Sequence, residues 1–410
     1  MELRHPDKRT SPSGTIGSMN LQATSVSIVS LLTALVRTGS RAGLDPYDPV
    51  LEVVAGWLTR HGVPHRYVGD SSGARIGICG RIDSGRPGPS YLLNATVDTA
   101  PFGNEEQWKH PPLSATQSEG WLYGRGSGDS KAGVAIFCHL LAALKSQSKG
   151  WAGSLVYLFD AGEHTGEFTG VRRFIETQPE AKNLSGTLIG YPGNTRIAIG
   201  GRGFARCRLR VHGRAAHTGS SSSPGVNAIG RAAHLIDSIH SAPLPDEQRG
   251  SFPLPPRISV TAIEGGSGFS VVPDLCVLNV DIRLTTRFDR DAARAHVAHL
   301  VAAFDRDATE LAPTDVVWNE GWPAYQLDSA LPLVRALREA ATAVLGRDIA
   351  TEVVGPSSVG NYLSGRGVPA TNGFGVTCEN IHAANERIEI SSISPVFEVY
   401  SRAVWSLLKG

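Results

Sequence analysis

Residues 155–160, Leu-Val-Tyr-Leu-Phe-Asp, form an unbroken apolar run with no alternation of polar and apolar positions. A strand of that kind has to be covered on both faces, which in a water-soluble chain means a sheet between layers of helix. The neighbouring segments supply those layers. Short β-like runs at 75–79, 90–97 and 188–190 alternate with helical spacing at 27–36, 49–60, 131–145 and 171–176. In the 131–145 segment Val134, Phe137, Cys138, Leu141 and Leu144 share one face. The expected fold class is α/β, with a mostly parallel sheet flanked by helices. Such sheets bind ligands beyond the carboxyl ends of their strands. Asp98, Glu163, His164 and Tyr191 all follow the ends of these runs.

The pattern changes near residue 195. Strands expected at 196–199, 204–211, 258–263 and 275–284, with helices at 226–241 and 290–304, describe a self-contained α+β insert over 195–317. A helix at 329–345 follows, then short strands and turns. The first unit is therefore discontinuous, 26–194 and 318–410, as expected of a 410-residue chain too long for one core. Residues 1–25 read as a disordered lead-in. A net charge of +1, with no basic excess or acidic tail, argues against a nucleic-acid partner. No apolar stretch is long enough to span a membrane, and the start lacks the apolar core of a signal peptide. The five cysteines are scattered singly, which fits a cytoplasmic protein with reduced thiols.

The chemistry centres on Gly124-Arg-Gly-Ser-Gly-Asp129-Ser-Lys-Ala-Gly133, a glycine-rich turn that delivers one carboxylate to the start of a helix. Asp129, His164 and His382 are three good zinc ligands, and Glu163 beside them is a proton acceptor. Three protein ligands with an open position mark a catalytic rather than a structural zinc site. Each residue alone has an ordinary reading: a helix cap for Asp129, satisfied loop histidines, an exposed carboxylate for Glu163. Their combination suggests a metal-assisted hydrolase.

The motifs resemble those of the zinc-dependent metallopeptidases that include acetylornithine deacetylase, succinyl-diaminopimelate desuccinylase, aminoacylase and glutamate carboxypeptidase. The matching pieces are Ala95-Thr-Val-Asp98, Tyr123 to Gly133, Glu163-His-Thr-Gly166, Gly213 to His217, Val272-Pro273 through Arg283, and His382-Ala-Ala-Asn-Glu386. The resemblance implies a catalytic domain with an inserted lid and dimerisation domain, and two metals bridged by Asp129. It implies Glu163 as the proton carrier and Asp98 as an orienting residue. His217 is expected to reach the neighbouring subunit's site, and Arg283 to grip a substrate carboxylate. The chain departs from the pattern at four positions: Thr96 and Tyr191 replace the histidine and acidic ligands of one metal, His164 replaces a glutamate ligand of the other, and Ser270 stands where many relatives have asparagine. Hydroxyls are poor substitutes for imidazole and carboxylate, so one zinc per subunit is expected and the second position is expected to be empty. Thr96, Tyr191 and Ser270 then become candidate substrate contacts.

The expected function is a cytoplasmic, homodimeric amidohydrolase acting on a small N-acyl amino acid or peptide-like amide, with the dimer formed through 195–317. Amide formation or acyl transfer on the same scaffold is the first alternative, and a non-catalytic binding protein the second.

Overall fold

In the computed structural model, which describes residues 21–147, 149–244, 252–371 and 373–409, the first unit is organised on a five-stranded sheet. Its strands are β1 (Arg66–Gly69), β2 (Arg75–Asp83), β3 (Ser90–Thr96), β6 (Ser154–Asp160) and β7 (Gly186–Ile189), in the order β1-β2-β6-β3-β7. Pairing is antiparallel for β1-β2 and β2-β6, and parallel for β6-β3 and β3-β7. The sheet is thus mixed, because β2 follows β1 through a tight turn that only an antiparallel pair can accept. Its parallel half is the one that carries the site residues.

The apolar run at 155–160 is explained by what lies on each face of β6. Leu155, Tyr157 and Phe159 pack into a cluster with α1 (Leu21–Arg37), α2 (Asp48–Arg60), α3 (Ala132–Lys145), α7 (Pro332–Leu345) and α9 (Ile393–Leu408). Val156 and Leu158 face the opposite way, toward α4 (Thr169–Thr177) and α8 (Val359–Gly365). Alternate side chains serve two cores, so no position from Leu155 to Phe159 is left for a polar residue. Helix α9 falls where only short strands and turns were expected. Helix α1 starts inside the expected lead-in; the rest of that segment, residues 1–20, lies outside the described residues.

The second unit is a four-stranded antiparallel sheet in the order β11-β13-β9-β14, formed by β9 (Gly203–His212), β11 (Arg257–Gly265), β13 (Leu275–Leu284) and β14 (Asp315–Trp318). Helices α5 (Ala228–Ser241) and α6 (Arg290–Asp305) cover one face, with Leu209, Leu235, Leu278, Ile282 and Val297 in a separate core. Strand β13 alternates between half-buried and buried along its whole length, as a sheet open on one face requires. Strand β8 (Arg196–Gly201), expected to be half-exposed and part of this insert, is largely buried. It pairs instead with β15 (Tyr325–Gln326) and β16 (Ala350–Val354). Two smaller ribbons complete the strands: β10 (Ala216–His217) with β12 (Val271–Val272), and β4 (Gln117–Ser118), β5 (Trp121–Tyr123), β17 (Cys378–Glu379) and β18 (Arg387–Glu389) in the order β17-β18-β5-β4. All five cysteines are unpaired, and no helix among the described residues is long and apolar enough to cross a membrane.

His139 of α3 is a buried titratable group far from any chemistry. Its Nδ1 lies 2.8 Å from the Ala135 carbonyl and its Nε2 2.8 Å from the Ser27 hydroxyl, an arrangement that satisfies the neutral ring. Burial pushes its pKa down to about 4. The unfolded chain, with histidine near its ordinary value, takes up the proton first as pH falls. Stability is therefore full above the unfolded value, lost as pH falls toward 4, and flat below that. Chemical denaturation of wild type and His139→Gln between pH 7 and pH 4 should show the wild type losing roughly 3 kcal/mol more than the variant.

Candidate metal centre and active site

The parallel strands β6, β3 and β7 end along one edge of the sheet, and the loops leaving them carry Glu163-His164, Asp98 and Tyr191. Gly162, with φ of +91°, makes the turn out of β6, where a Cβ would collide with the Thr169 hydroxyl. Asp129 comes from a kinked turn over Ser127–Lys131, just before α3. Helix α3 approaches this edge closely because Gly133 sits against the Gly190 carbonyl, with no room for a side chain. His382 arrives from the loop between β17 and β18, held at a left-handed φ of +62°.

The Asp129 turn is fixed from two sides. Lys131 is buried and donates to the Leu35 and Thr38 carbonyls at 2.9 and 2.8 Å. Glu386 accepts the backbone N–H groups of Gly128 and Asp129 at 3.0 and 3.2 Å on one oxygen, and Arg125 at 2.7 Å on the other. Both side chains of that ion pair are 1% exposed. Arg125 also donates to the Ala383 carbonyl at 3.1 Å, and Asn385 clamps the same loop through the Lys109 N–H and the Gln107 carbonyl. Asp129 and His382 are thereby brought together from far apart in the chain.

Asp129, His164 and His382 each offer a ligand atom, and these atoms all lie within 4.8 Å of one another. Asp129 Oδ2 is 3.0 Å from His382 Nε2 and 3.5 Å from His164 Nε2. Ligands about 2 Å from a tetrahedral ion lie about 3.3 Å apart, so the spacing fits. Asp129 Oδ1 and His164 Nε2 are buried without a hydrogen-bond partner, and a cation would satisfy them. Burial opposes a charge on His164, but Asp129, Asp98 and Glu163 around it raise its pKa well above the ordinary value. The donor set, two imidazoles and a carboxylate, suits zinc.

Asp98 is fully buried and turned toward His164. Its Oδ2 accepts the His164 backbone N–H at 3.1 Å and lies 3.4 Å from Nδ1 of the ring. A carboxylate behind the ring nitrogen that faces away from the centre sets the tautomer and orientation of a ligating histidine. Glu163 lies 3.2 Å from the same nitrogen, and its carboxyl is pushed up to about 8 by burial and, against the pull of His164, by Asp129, Asp98 and Asp160.

A model of peptidase family M20/M25/M40 matches residues 92–406. The chain belongs to that family. Succinyl-diaminopimelate desuccinylase of Marinobacter nauticus is 26% identical over 331 residues, spanning 79% of this chain and 85% of the relative. An M20 family metallo-carboxypeptidase of Sulfolobus solfataricus superposes with a TM-score of 0.75 at 16% identity, covering 93% of this chain and 98% of its own. A dinuclear metal-binding M20 peptidase of Bacillus subtilis gives a TM-score of 0.67 at 16% identity, covering 94% and 99%. At such identities the solved structures speak for the fold, and the family match speaks for amide hydrolysis as the class of reaction.

Within this M20 chain, Tyr191 donates its hydroxyl to Asp129 Oδ2 at 3.0 Å, with the phenol pKa raised by burial and by Asp129. Thr96 lies beneath the cleft, its hydroxyl 3.1 Å from that of Ser130. Arg283 and Tyr191 line a cleft of about 910 Å³ together with Glu163, His164 and His382, whereas Thr96 and Ser270 are not among its walls. His217 and Ser270 lie on the exposed β10–β12 ribbon, where the Thr218 N–H meets the Ser270 carbonyl at 3.0 Å. The sequence reading gave no role to Glu386, Arg125 or Asn385. Glu386 entered only as the last residue of the His382-Ala-Ala-Asn-Glu386 piece.

Glu386→Gln leaves Arg125 buried beside a neutral amide. It should destabilise the fold by about 3–5 kcal/mol in a denaturant titration and weaken zinc affinity about 10–100-fold in a chelator competition. Unchanged values in both assays would show that the pair does not hold the two loops together.

Proposed function

We propose that this M20 protein is a single-zinc amidohydrolase cleaving an N-acyl amino acid or a short peptide-like amide. The observation that carries this reading is the triad Asp129, His164 and His382 beside Glu163, with Tyr191 hydrogen-bonded to the one carboxylate that a second metal would need to share. The second ion would find two hydroxyl groups, one of them already bonded to Ser130, in place of anionic or imidazole ligands.

A zinc held by the triad supplies Lewis acidity to the scissile carbonyl and makes water a better nucleophile at neutral pH. Glu163 takes the proton from the attacking water and returns it to the leaving amine, a role for which a carboxyl lifted toward neutrality is suited. Asp98 holds His164 in place through its backbone N–H and its ring. Tyr191 holds Asp129 through a neutral phenol. Arg283 orients the substrate through a carboxylate. His217 acts on a partner subunit's substrate, as an oxyanion donor would, in a homodimer built on the second unit. That unit exposes the apolar side chains Ile263, Phe269, Val271 and Val317, at 50, 103, 49 and 51%, which a partner would cover.

Elemental analysis of the purified protein should give one zinc per chain, falling toward zero in His164→Ala. Two ions per chain would overturn the single-metal reading. Glu163→Gln should retain zinc and fold normally while losing about 10²–10⁴-fold in kcat on an N-acyl amino acid panel. If the wild type instead condenses acyl donor and added amine without hydrolysis, amide formation replaces cleavage.

A further inference from the structure

The cleft that Glu163 lines is lined also by the open face of the second unit's sheet, and the charge of that face exceeds what one substrate carboxylate would neutralise. Arg257 on β11 and Arg283 on β13 stand directly opposite each other in the ladder, on the face away from α5 and α6. Like charges at opposed positions destabilise a strand pair. Arg202, between β8 and β9, lines the same cleft; it is 7% exposed and its Nε has no hydrogen-bond partner. Its pKa is lowered by burial and by the nearby charges of Arg257 and Arg283. Arg206 is the fourth guanidinium on this wall. Apart from Glu163, the one carboxylate lining the cleft among the described residues is Asp281, which divides itself between Arg206 at 3.0 Å and Arg283 at 2.7 Å.

A single carboxylate is satisfied by one planar guanidinium fork. It would leave Arg202 and Arg257 uncompensated in a half-enclosed cleft. We propose that Arg202, Arg257 and Arg283 form one anion-binding wall that takes a dianionic group of the substrate, either paired carboxylates or a phosphoryl group. The scissile amide then lies between this wall and Glu163, so the substrate is an acyl-amino acid with two negative charges at the end away from the triad. This assignment rests on the amidohydrolase reading for the word substrate, but the binding wall itself does not.

The test is a binding measurement on the full-length protein as purified, so it does not depend on turnover. Calorimetric titrations at constant ionic strength with acetate, succinate and inorganic phosphate compare one negative charge with two. Succinate, phosphate or both should bind at least tenfold more tightly than acetate, and the tighter of the two identifies the carboxylate or phosphoryl source. Arg257→Gln, an exposed position unlinked to the core, should abolish that preference, and Arg257→Lys should restore part of it. Equal binding of acetate and the dianions, or a preference unaffected by Arg257→Gln, overturns the proposal. A dianion preference in a protein that hydrolyses no amide would sink the hydrolase reading while leaving the wall in place. Hydrolysis without the preference would do the reverse.

Discussion

The buried contact of Glu386 with Arg125 and with two backbone amides joins loops that are distant in sequence, and the candidate centre exists only because they are joined. Asp129 stands on one loop and His382 on the other, four residues before Glu386 in the chain. A carboxylate removed from water is costly unless its lone pairs are satisfied and its charge is matched. Here one oxygen receives two N–H groups and the other a guanidinium, so both carboxylate oxygens are engaged. The stacking of Arg125 over Trp108, 5.2 Å from the ring centroid, extends the anchor to the segment that Asn385 also grips. Removing either partner strands a charge in the core and frees both ligand loops at once. Stability and metal affinity are therefore linked through one side chain.

The His164 substitution makes sense together with Asp98. In the two-metal arrangement that the resemblance implies, an aspartate at the position of Asp98 would support a histidine at the position of Thr96. With threonine there, that support has no ring to act on, and Asp98 instead meets the backbone and ring of His164. On the single-metal reading, an imidazole stands where the resemblance implies a carboxylate ligand, and Asp98 lies against that imidazole. Tyr191 completes the change, because a neutral phenol that donates to Asp129 Oδ2 stands where the resemblance implies an acidic ligand. Three departures that look like separate losses in the sequence form one connected arrangement around Asp129.

What was legible in the sequence follows from the range of the forces involved. The apolar run of β6, the amphipathic spacing of α3 and the strand-end position of Glu163 are local patterns, and each appears where the spacing implied. Helix α9 was equally local: Ile393, Val396, Phe397, Tyr400, Val404 and Leu407 repeat at helical intervals, and that signal was passed over. The membership of β8 was not local. Its apolar residues suit either sheet, and only the arrival of Tyr325 and Ala350 beside it decides the pairing. The metal triad was legible because glycines and motif order restrict it. The partners that hold it were not, since Glu386 meeting Gly128, or Arg257 facing Arg283, depends on register and loop closure that no window of sequence contains.

The cleft is also polarised in a way that a net charge of +1 conceals. Glu163 lines it with the buried carboxylates Asp98, Asp129 and Asp160 nearby, and burial together with neighbouring carboxylates raises the pKa values of Asp160 and Glu163. Another part of its lining gathers four arginines against Asp281. A cation at the triad and an anion at the arginines would each remove one imbalance. A substrate whose acidic end is held by arginine is then left with its neutral amide over the triad. On the proposed reading, the charge distribution would set the direction in which a ligand enters before any residue contacts the bond to be broken.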